Sequence, residues 1–413
     1  MSTVLHVTVS KGLGGVPEVV RTETRHLDEY GVQACWLETI AGGPARDAAA
    51  VLHRALYGDD RVTVDPAALT AALDSFVAEH RDRVVDAARH ADAVVLHDPL
   101  PLAFAPLVAG RGRRVLWRCH IGHCGQSVSA DAAQAMLVPL LDHIDHIGFL
   151  RGAYLWDALA DDPRCAVLPP PLDDSSDKNR PLTHAEHTWM ADRLLTTGYL
   201  NGGGRIVTGR SYLPEPSSPY LVQVARWDPL KGHDPLLVGF ADLAAERPDI
   251  QLVLLGPHID VQRNYPISLE IWKALHDQKN ALPDRTARRV HLWQFSPVAR
   301  PIEDRAVNMI QRRARAVSQN SIREGFGLTV TEAMWKEKVV VGTPVGGIAD
   351  QITHQVNGLL TDGTPGGWAQ TAARALDDED GRQRWGPAAR RSVADRYLVR
   401  PQLLDQLTLL QLL

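Results

Sequence analysis

Apolar and polar positions fall into two recurring patterns along the chain. Short runs of branched aliphatic residues bounded by turn residues read as buried strands, and longer stretches with apolar positions three and four apart read as helices. Positions 4–9 form a strand of this kind, followed by a glycine-rich turn at 12–15 and a helix from about 17 to 30. Strands are predicted at 33–38, 93–96, 114–118, 147–150 and 165–168, with a long alanine-rich helix over 66–89. Strands separated by helices imply right-handed crossovers and a parallel sheet covered on both faces.

Three prolines at 169–171 and the polar stretch 173–181 interrupt this pattern, as do the glycines at 202–204 and the segment 214–219. It then restarts, with strands at 220–224, 251–255, 290–293 and 339–341 and helices at 235–246 and 303–313. The economical architecture is α/β: two domains with a cleft between them. The first covers 1–180, a linker 181–215 and the second 216–394. In open parallel sheets ligands sit beyond the carboxyl ends of the strands, so the loops leaving strands are where chemistry is sought.

Composition narrows the classes. The 413 residues carry a net charge of −5 with Lys and Arg scattered, which argues against a nucleic-acid partner. The N-terminus lacks a cationic flank and reads as a first strand rather than a signal peptide. No run approaches the roughly 18 apolar residues of a membrane span. Cys35, Cys119, Cys124 and Cys165 are too few and too uneven for a disulfide scaffold, which points to the cytoplasm. The apolar run 403–413 is expected to pack on a domain or on a second subunit, which leaves a homodimer open.

Five stretches gather chemistry at strand ends. Ser10-Lys11-Gly12-Leu13-Gly14-Gly15-Val16-Pro17-Glu18 places glycines before a helix whose free N–H groups can meet an anion. It is neither a dinucleotide fingerprint nor a Walker loop, and a plain strand–helix turn has the same residues. Arg226-Trp227-Asp228-Pro229-Leu230-Lys231-Gly232 sets two cations five positions apart where both can address one diphosphate; two solvated surface cations are the alternative. Ser321 to Met334 carries Glu324 and Glu332 eight apart around Gly325-Phe326-Gly327-Leu328, a spacing that suits two ends of an elongated ligand with helix-start amides between them. Trp117-Arg118-Cys119-His120-Ile121-Gly122-His123-Cys124 invites a zinc reading, but structural zinc sites draw ligands from separated segments, so no metal is expected. His120 at a strand end can instead hydrogen-bond a sugar hydroxyl or steady developing charge, or serve structure alone. Asp98 in His97-Asp98-Pro99 can bind an acceptor hydroxyl or cap its turn.

Taken together, these stretches resemble the retaining GT-B glycosyltransferases that carry an E-x7-E motif, here Glu324 and Glu332. The chain is most similar to the trehalose glycosyltransferring synthases and the trehalose phosphorylases. That similarity is carried by Gly14-Gly15-Val16, His97-Asp98-Pro99, Trp117 to Ile121, Asp177-Lys178-Asn179, Arg226 to Gly232, Ser321 to Lys336 and Gly346-Gly347-Ile348. The resemblance implies two Rossmann-like domains, with the last helix (395–413) crossing back onto the first. It implies a nucleotide-diphosphate sugar as donor, a small sugar-like acceptor, and no cofactor. Arg226 and Lys231 would neutralise the diphosphate, Glu332 hold the ribose and Glu324 the donor sugar. Gly14, Gly15, Gly325, Phe326, Gly327 and Leu328 would line the donor, and His120 would sit beside the reacting sugar. Asp98, Trp117, Arg118, Lys178 and Asn179 would face the acceptor. The product would be trehalose or a 1,1-linked analogue, with retention and without metal.

Two departures border the acceptor side. Gly122-His123-Cys124-Gly125 stands where the trehalose-forming relatives carry an acid, and Val16-Pro17 replaces a small residue. They leave room for an unusual acceptor of secondary metabolism, such as antibiotic biosynthesis. A phosphorylase using sugar 1-phosphate and a non-catalytic sugar-nucleotide-binding protein are the rival readings.

Overall fold

The computed structural model describes residues 1–10, 14–110, 112–190, 206–208, 218–259, 266–295 and 300–413. The chain divides into two compact units, Met1–Leu172 with Tyr397–Leu413, and Asp173–Arg396.

In the first unit, strands β1 (Ser2–Thr8), β2 (Val32–Glu38), β3 (Ala93–His97), β4 (Arg114–Cys119), β5 (His146–Phe149) and β6 (Cys165–Val167) form one parallel sheet, ordered β2-β1-β3-β4-β5-β6. Every residue of β3 is buried, as the aliphatic run Ala93–Leu96 requires of a strand covered on both faces. The two-residue side-chain period sorts the sheet. Leu5, Val7, Val94, Leu96, Trp117 and Cys119 enter one core, packed beneath the helices Gly43–Leu56 and Pro66–Arg89. Val4, Val95 and Leu116 point the other way, and there they meet Leu403, Leu407 and Leu410. The C-terminal apolar run therefore packs on the first unit, through the helix Val399–Leu409. His6 lies opposite Val95 and His97 opposite Arg118 in the register, which puts His6, His97, Arg118 and His120 on this second face.

The second unit holds β7 (Ile206–Thr208), β8 (Tyr220–Val224), β9 (Gln251–Pro257), β10 (Val290–Phe295), β11 (Ala316–Gln319), β12 (Val340–Gly342) and β13 (Leu359–Leu360), ordered β13-β12-β11-β8-β9-β10-β7. Only β7, against β10, runs antiparallel. Trp227, Phe240, Trp368 and Trp385 fill its core. The sequence pattern did not reveal β11: its Ser318 reads as polar, yet it is buried because its hydroxyl accepts from Trp368 Nε1 at 2.8 Å.

The units divide at Leu172/Asp173, earlier than the boundary expected at 180. Asn308 Nδ2 donates to the carbonyls of Asp177 and Arg180 and so binds this stretch into the second unit. The expected linker 181–215 contributes the helix His184–Met190 and β7 to that unit; residues 191–205 and 209–215 lie outside the described residues. Among the described residues no helix is long and apolar enough to cross a membrane.

Candidate active site

In the second unit the chain leaves β8 through Arg226–Gly232, and a set of backbone contacts fixes this loop. Trp227 is fully buried and donates to Pro257 O at 2.8 Å. Asp228 Oδ1 accepts from Leu230 N at 2.8 Å, and Gln223 Nε2 donates to Lys231 O at 2.9 Å. Gln223 Oε1 also accepts from Asn320 N at 2.8 Å, which ties the loop after β8 to the loop after β11. Gly232 sits at the crossing with φ +60°, where a Cβ would lie 1.8 Å from Asn320 O. No other residue type fits that approach.

The crossing delivers Lys231 Nζ to Glu324, 2.8 Å from Oε1 and 2.7 Å from Oε2. Ser321 Oγ adds a hydrogen bond to Oε2 at 2.9 Å, and Ser321 itself accepts from Gln319 Nε2 at 2.9 Å. After Glu324 the chain turns through Gly325 and Phe326 to Gly327, at φ +88°, and enters the helix Leu328–Trp335. Gly347 N donates to Gly325 O and Gln351 Nε2 to Phe326 O, at 3.1 and 2.7 Å. A Cβ on Gly347 would fall 2.5 Å from Phe326 backbone atoms, so the Gly346-Gly347 signal reflects close support of this turn.

Glu332 lies on that helix and is almost wholly buried. Its Oε1 pairs with Lys178 Nζ at 2.6 Å, and its Oε2 has no hydrogen-bond partner among the described residues. One turn on, Lys336 Nζ donates to Asn179 Oδ1, Gln311 Oε1 and Glu332 O at 3.0, 2.8 and 3.1 Å. Burial, helped by Lys178 and Arg312, pulls Lys336 down to about 7, against the opposite pull of Glu332. Lys178 and Asn179, expected with the acceptor on the first domain, therefore belong to the second unit and hold Glu332 and Lys336. Arg226 is half exposed, with Asp228 at 3.3 Å. Gln319, Gln311 and Lys336 were not singled out from the sequence. Gln319 ends the unpredicted β11, and the spacing of Lys336, one turn beyond Glu332, was the available signal.

In the first unit Gly14 and Gly15 open the helix Gly15–His26, Gly14 with φ +140°; residues 11–13 of that motif lie outside the described residues. At the end of β3, Asp98 takes φ +68°, strained for a residue with a side chain, and its Oδ1 accepts from His120 N at 2.9 Å. Burial pushes its carboxyl up to about 7. Trp117 and Arg118, expected to touch an acceptor, are interior residues engaged within the unit. Trp117 Nε1 donates to Asp98 O at 2.9 Å. The Arg118 guanidinium bonds Glu23, Gln406 Oε1 and Leu168 O. Trp117 thus braces the backbone of Asp98, and Arg118 ties the sheet to Glu23 and to the C-terminal helix. His120 Nε2 meets His97 Nδ1 at 2.9 Å, and His97 Nε2 meets His6 Nδ1 at 3.0 Å. Burial holds all three imidazoles below their ordinary pKa, His6 at about 4. Nothing in the sequence pattern flagged His6, because its link to His97 needs the strand register.

Residues 6–155 match the family model for the trehalose synthase N-terminal domain, and residues 210–392 that for glycosyl transferases group 1. The trehalose synthases of Thermococcus litoralis and Rubrobacter xylanophilus are each 28% identical, across 98% of this chain and 89% of theirs. The trehalose phosphorylase of Grifola frondosa is 31% identical, across 44% of this chain and 25% of its own. Among solved structures, an α,α-trehalose-phosphate synthase (UDP-forming) from Burkholderia xenovorans, in complex with glucose-6-phosphate, superposes with a TM-score of 0.74 at 15% identity, covering 100% of both chains.

Proposed function

We propose that this chain, a GT-B glycosyltransferase related to the trehalose synthases, moves a hexose with retention from a nucleotide-diphosphate sugar to a sugar acceptor, forming trehalose or a trehalose-like 1,1-linked product. The observation that carries the reading is Lys231 on both oxygens of Glu324, beside the amides that open the helix of Glu332.

In this reading Lys231 exchanges part of its hold on Glu324 for the donor diphosphate, and half-exposed Arg226 joins it. The amides of Gly325, Phe326, Gly327 and Leu328 add the positive end of a helix. Glu324 then takes the donor sugar's hydroxyls. Glu332 offers its Oε2, which has no hydrogen-bond partner among the described residues, to the ribose as a buried acceptor suited to a hydroxyl donor. Gly14 and Gly15 leave the backbone open to phosphate on the first unit, where Asp98 and His120 serve the sugars. The bond from the anomeric carbon to the β-phosphate oxygen breaks, and the acceptor oxygen bonds that carbon on the same face. The acceptor's proton passes to the departing phosphate oxygen. Fixed cations and helix dipoles stabilise the leaving charge, so the reading calls for no metal ion or cofactor. The printed names of the structural neighbours support a nucleotide donor: one enzyme is UDP-forming, and a trehalose-6-phosphate enzyme from E. coli is bound with UDP-2-fluoro glucose.

Lys178 on Glu332 favours a second reading, in which a cation already satisfies the ribose carboxylate and the enzyme uses sugar 1-phosphate, as a phosphorylase would. One experiment separates the two. Nucleoside-diphosphate release is measured from UDP-, ADP-, GDP- and dTDP-glucose in chelator, with and without glucose. Glucose-dependent release with a non-reducing disaccharide is expected. No release from any nucleotide sugar, with phosphate-dependent cleavage of trehalose, would replace the transferase by the phosphorylase.

A further inference from the structure

The three imidazoles on the second face of the first sheet form a continuous hydrogen-bonded file: His6 Nδ1 to His97 Nε2 at 3.0 Å, His97 Nδ1 to His120 Nε2 at 2.9 Å. Neighbouring ring planes lie within 23° and 17° of parallel. His6 and His97 are almost completely excluded from solvent, and His120 is 8% exposed. Each link between two neutral imidazoles needs one N–H and one lone pair, so the tautomers of all three are coupled. Two arrangements remain. Either the protons sit on the Nδ1 atoms throughout, leaving His120 with an outward N–H at Nδ1, or they sit on the Nε2 atoms, leaving His120 with an outward lone pair.

The inner end of the file decides between them. Glu23 Oε2 lies 4.0 Å from His6 Nδ1, and Glu23 is itself fixed by Arg118 and by Gln406 Nε2 at 3.2 Å. A carboxylate held beside Nδ1 favours a proton on that nitrogen. His6 Nε2, at the far side of the ring, is buried and has no hydrogen-bond partner among the described residues. As a lone pair this atom leaves an acceptor unused; as an N–H it would be an orphaned buried donor, the rarer and costlier case. Both observations select the first arrangement.

We infer that His6 and His97 are positioning residues that hold His120 in its Nδ1-protonated tautomer, so that His120 offers a hydrogen-bond donor to an oxygen lone pair. Burial keeps the file neutral at neutral pH, which preserves the alternation of donors and acceptors. The ligand chemistry follows: His120 recognises a sugar hydroxyl oxygen or a phosphate oxygen as an acceptor, and does not take the proton from an attacking hydroxyl. This last step rests on the transferase reading, whereas the tautomer is a property of the free protein.

The test is a long-range 1H–15N correlation on the full chain labelled with 15N-histidine, at neutral pH and without substrate, with His120 assigned by the signals that vanish in His120→Gln. Wild type is expected to show His120 Nδ1 in the protonated, pyrrole-like range and Nε2 in the pyridine-like range. In His97→Leu the Nε2 lone pair of His120 loses its donor, so the Nε2 resonance should move further downfield, toward a pyridine-like nitrogen that accepts no hydrogen bond, while Nδ1 keeps its proton. His97→Gln, whose amide can donate to His120 Nε2, should restore the wild-type position, which a merely space-filling role for His97 would not require. A wild-type His120 protonated at Nε2, or an Nε2 resonance unmoved in His97→Leu, would overturn the inference. If His97→Leu fails to fold, the wild-type spectrum still decides. Absence of transferase activity would sink the functional reading and leave the tautomer result standing.

Discussion

Lys231 and Arg226 are both cations at the end of one strand, but they are not equivalent. Lys231 is 14% exposed in its side chain and grips both oxygens of Glu324, whereas Arg226 is 47% exposed with a single longer contact. A partly desolvated charge that needs little reorganisation stabilises a transition state more than a mobile solvated one. Lys231→Ala is therefore expected to lower kcat/KM by about 2–4 kcal/mol of transition-state stabilisation, and Arg226→Ala by less. Near-wild-type steady-state kinetics in both variants would remove the diphosphate role. Gly232 is the residue on which this geometry hangs. Gly232→Ala forces a Cβ against Asn320 O in a left-handed conformation, and should cost about 3 kcal/mol or more of stability by thermal melting, since the clash is with backbone. A melting temperature unchanged from wild type would mean that the two loops can part without loss.

The two loops meet because of the elements behind them, and those elements were unevenly legible. Helix 66–89 and strand 220–224 could be read to the residue, since Asp65 caps the helix before Pro66 and Tyr220-Leu221-Val222 is a strand-forming run after the prolines and serines of 214–219. β11 could not, because its Ser318 is satisfied by a tryptophan fifty positions away in sequence and its Gln319 by Ser321 and Thr329 beyond the strand. The helix Gly43–Leu56 begins with Gly42-Gly43-Pro44, which carries the chemistry of a turn. Glu324, Lys231 and Glu332 were evident as a spacing. Of their neighbours, Ser321 stands three residues before Glu324 and Lys336 four after Glu332, whereas Lys178 on Glu332 depends on long-range packing that no local period encodes. The helix Val399–Leu409 illustrates the energetic side. Leu407 is fully buried against the first sheet, so Leu407→Ala should destabilise that unit by about 2–5 kcal/mol, seen as an earlier denaturant midpoint. A loss under about 1 kcal/mol would mean that the helix packs loosely.

For the whole molecule the buried histidines set the response to acid. Burial lowers His6 and His233 to about 4 from an ordinary 6.5, and holds His97 and His120 down as well. The unfolded chain takes up these protons first as pH falls, so stability is full above about pH 7 and declines between 6.5 and 4, by about 3 kcal/mol for a histidine shifted as far as His6. Asp98, raised to about 7, acts with the opposite sign, gaining stability over part of the same range, but it is one group against four. Melting temperatures recorded from pH 8 to pH 4 should fall, and His233→Gln should flatten the slope. A flat profile in wild type would mean that these imidazoles are charged in the folded state.

The chain makes its excursion into the second unit from Leu172 and returns at Tyr397, where Leu172 N donates to Tyr397 O at 2.7 Å and Val399 N to Leu172 O at 2.9 Å. On the ribosome this order has a consequence. The first sheet emerges early, but the helix that covers Val4, Val95 and Leu116 is translated only after residues 173–396. At roughly 5–20 residues per second that interval lasts on the order of ten seconds or more. Throughout it the nascent first unit carries a bare apolar face, with Arg118 and Glu23 still awaiting Gln406, and is a natural client for a chaperone that binds exposed aliphatic surface.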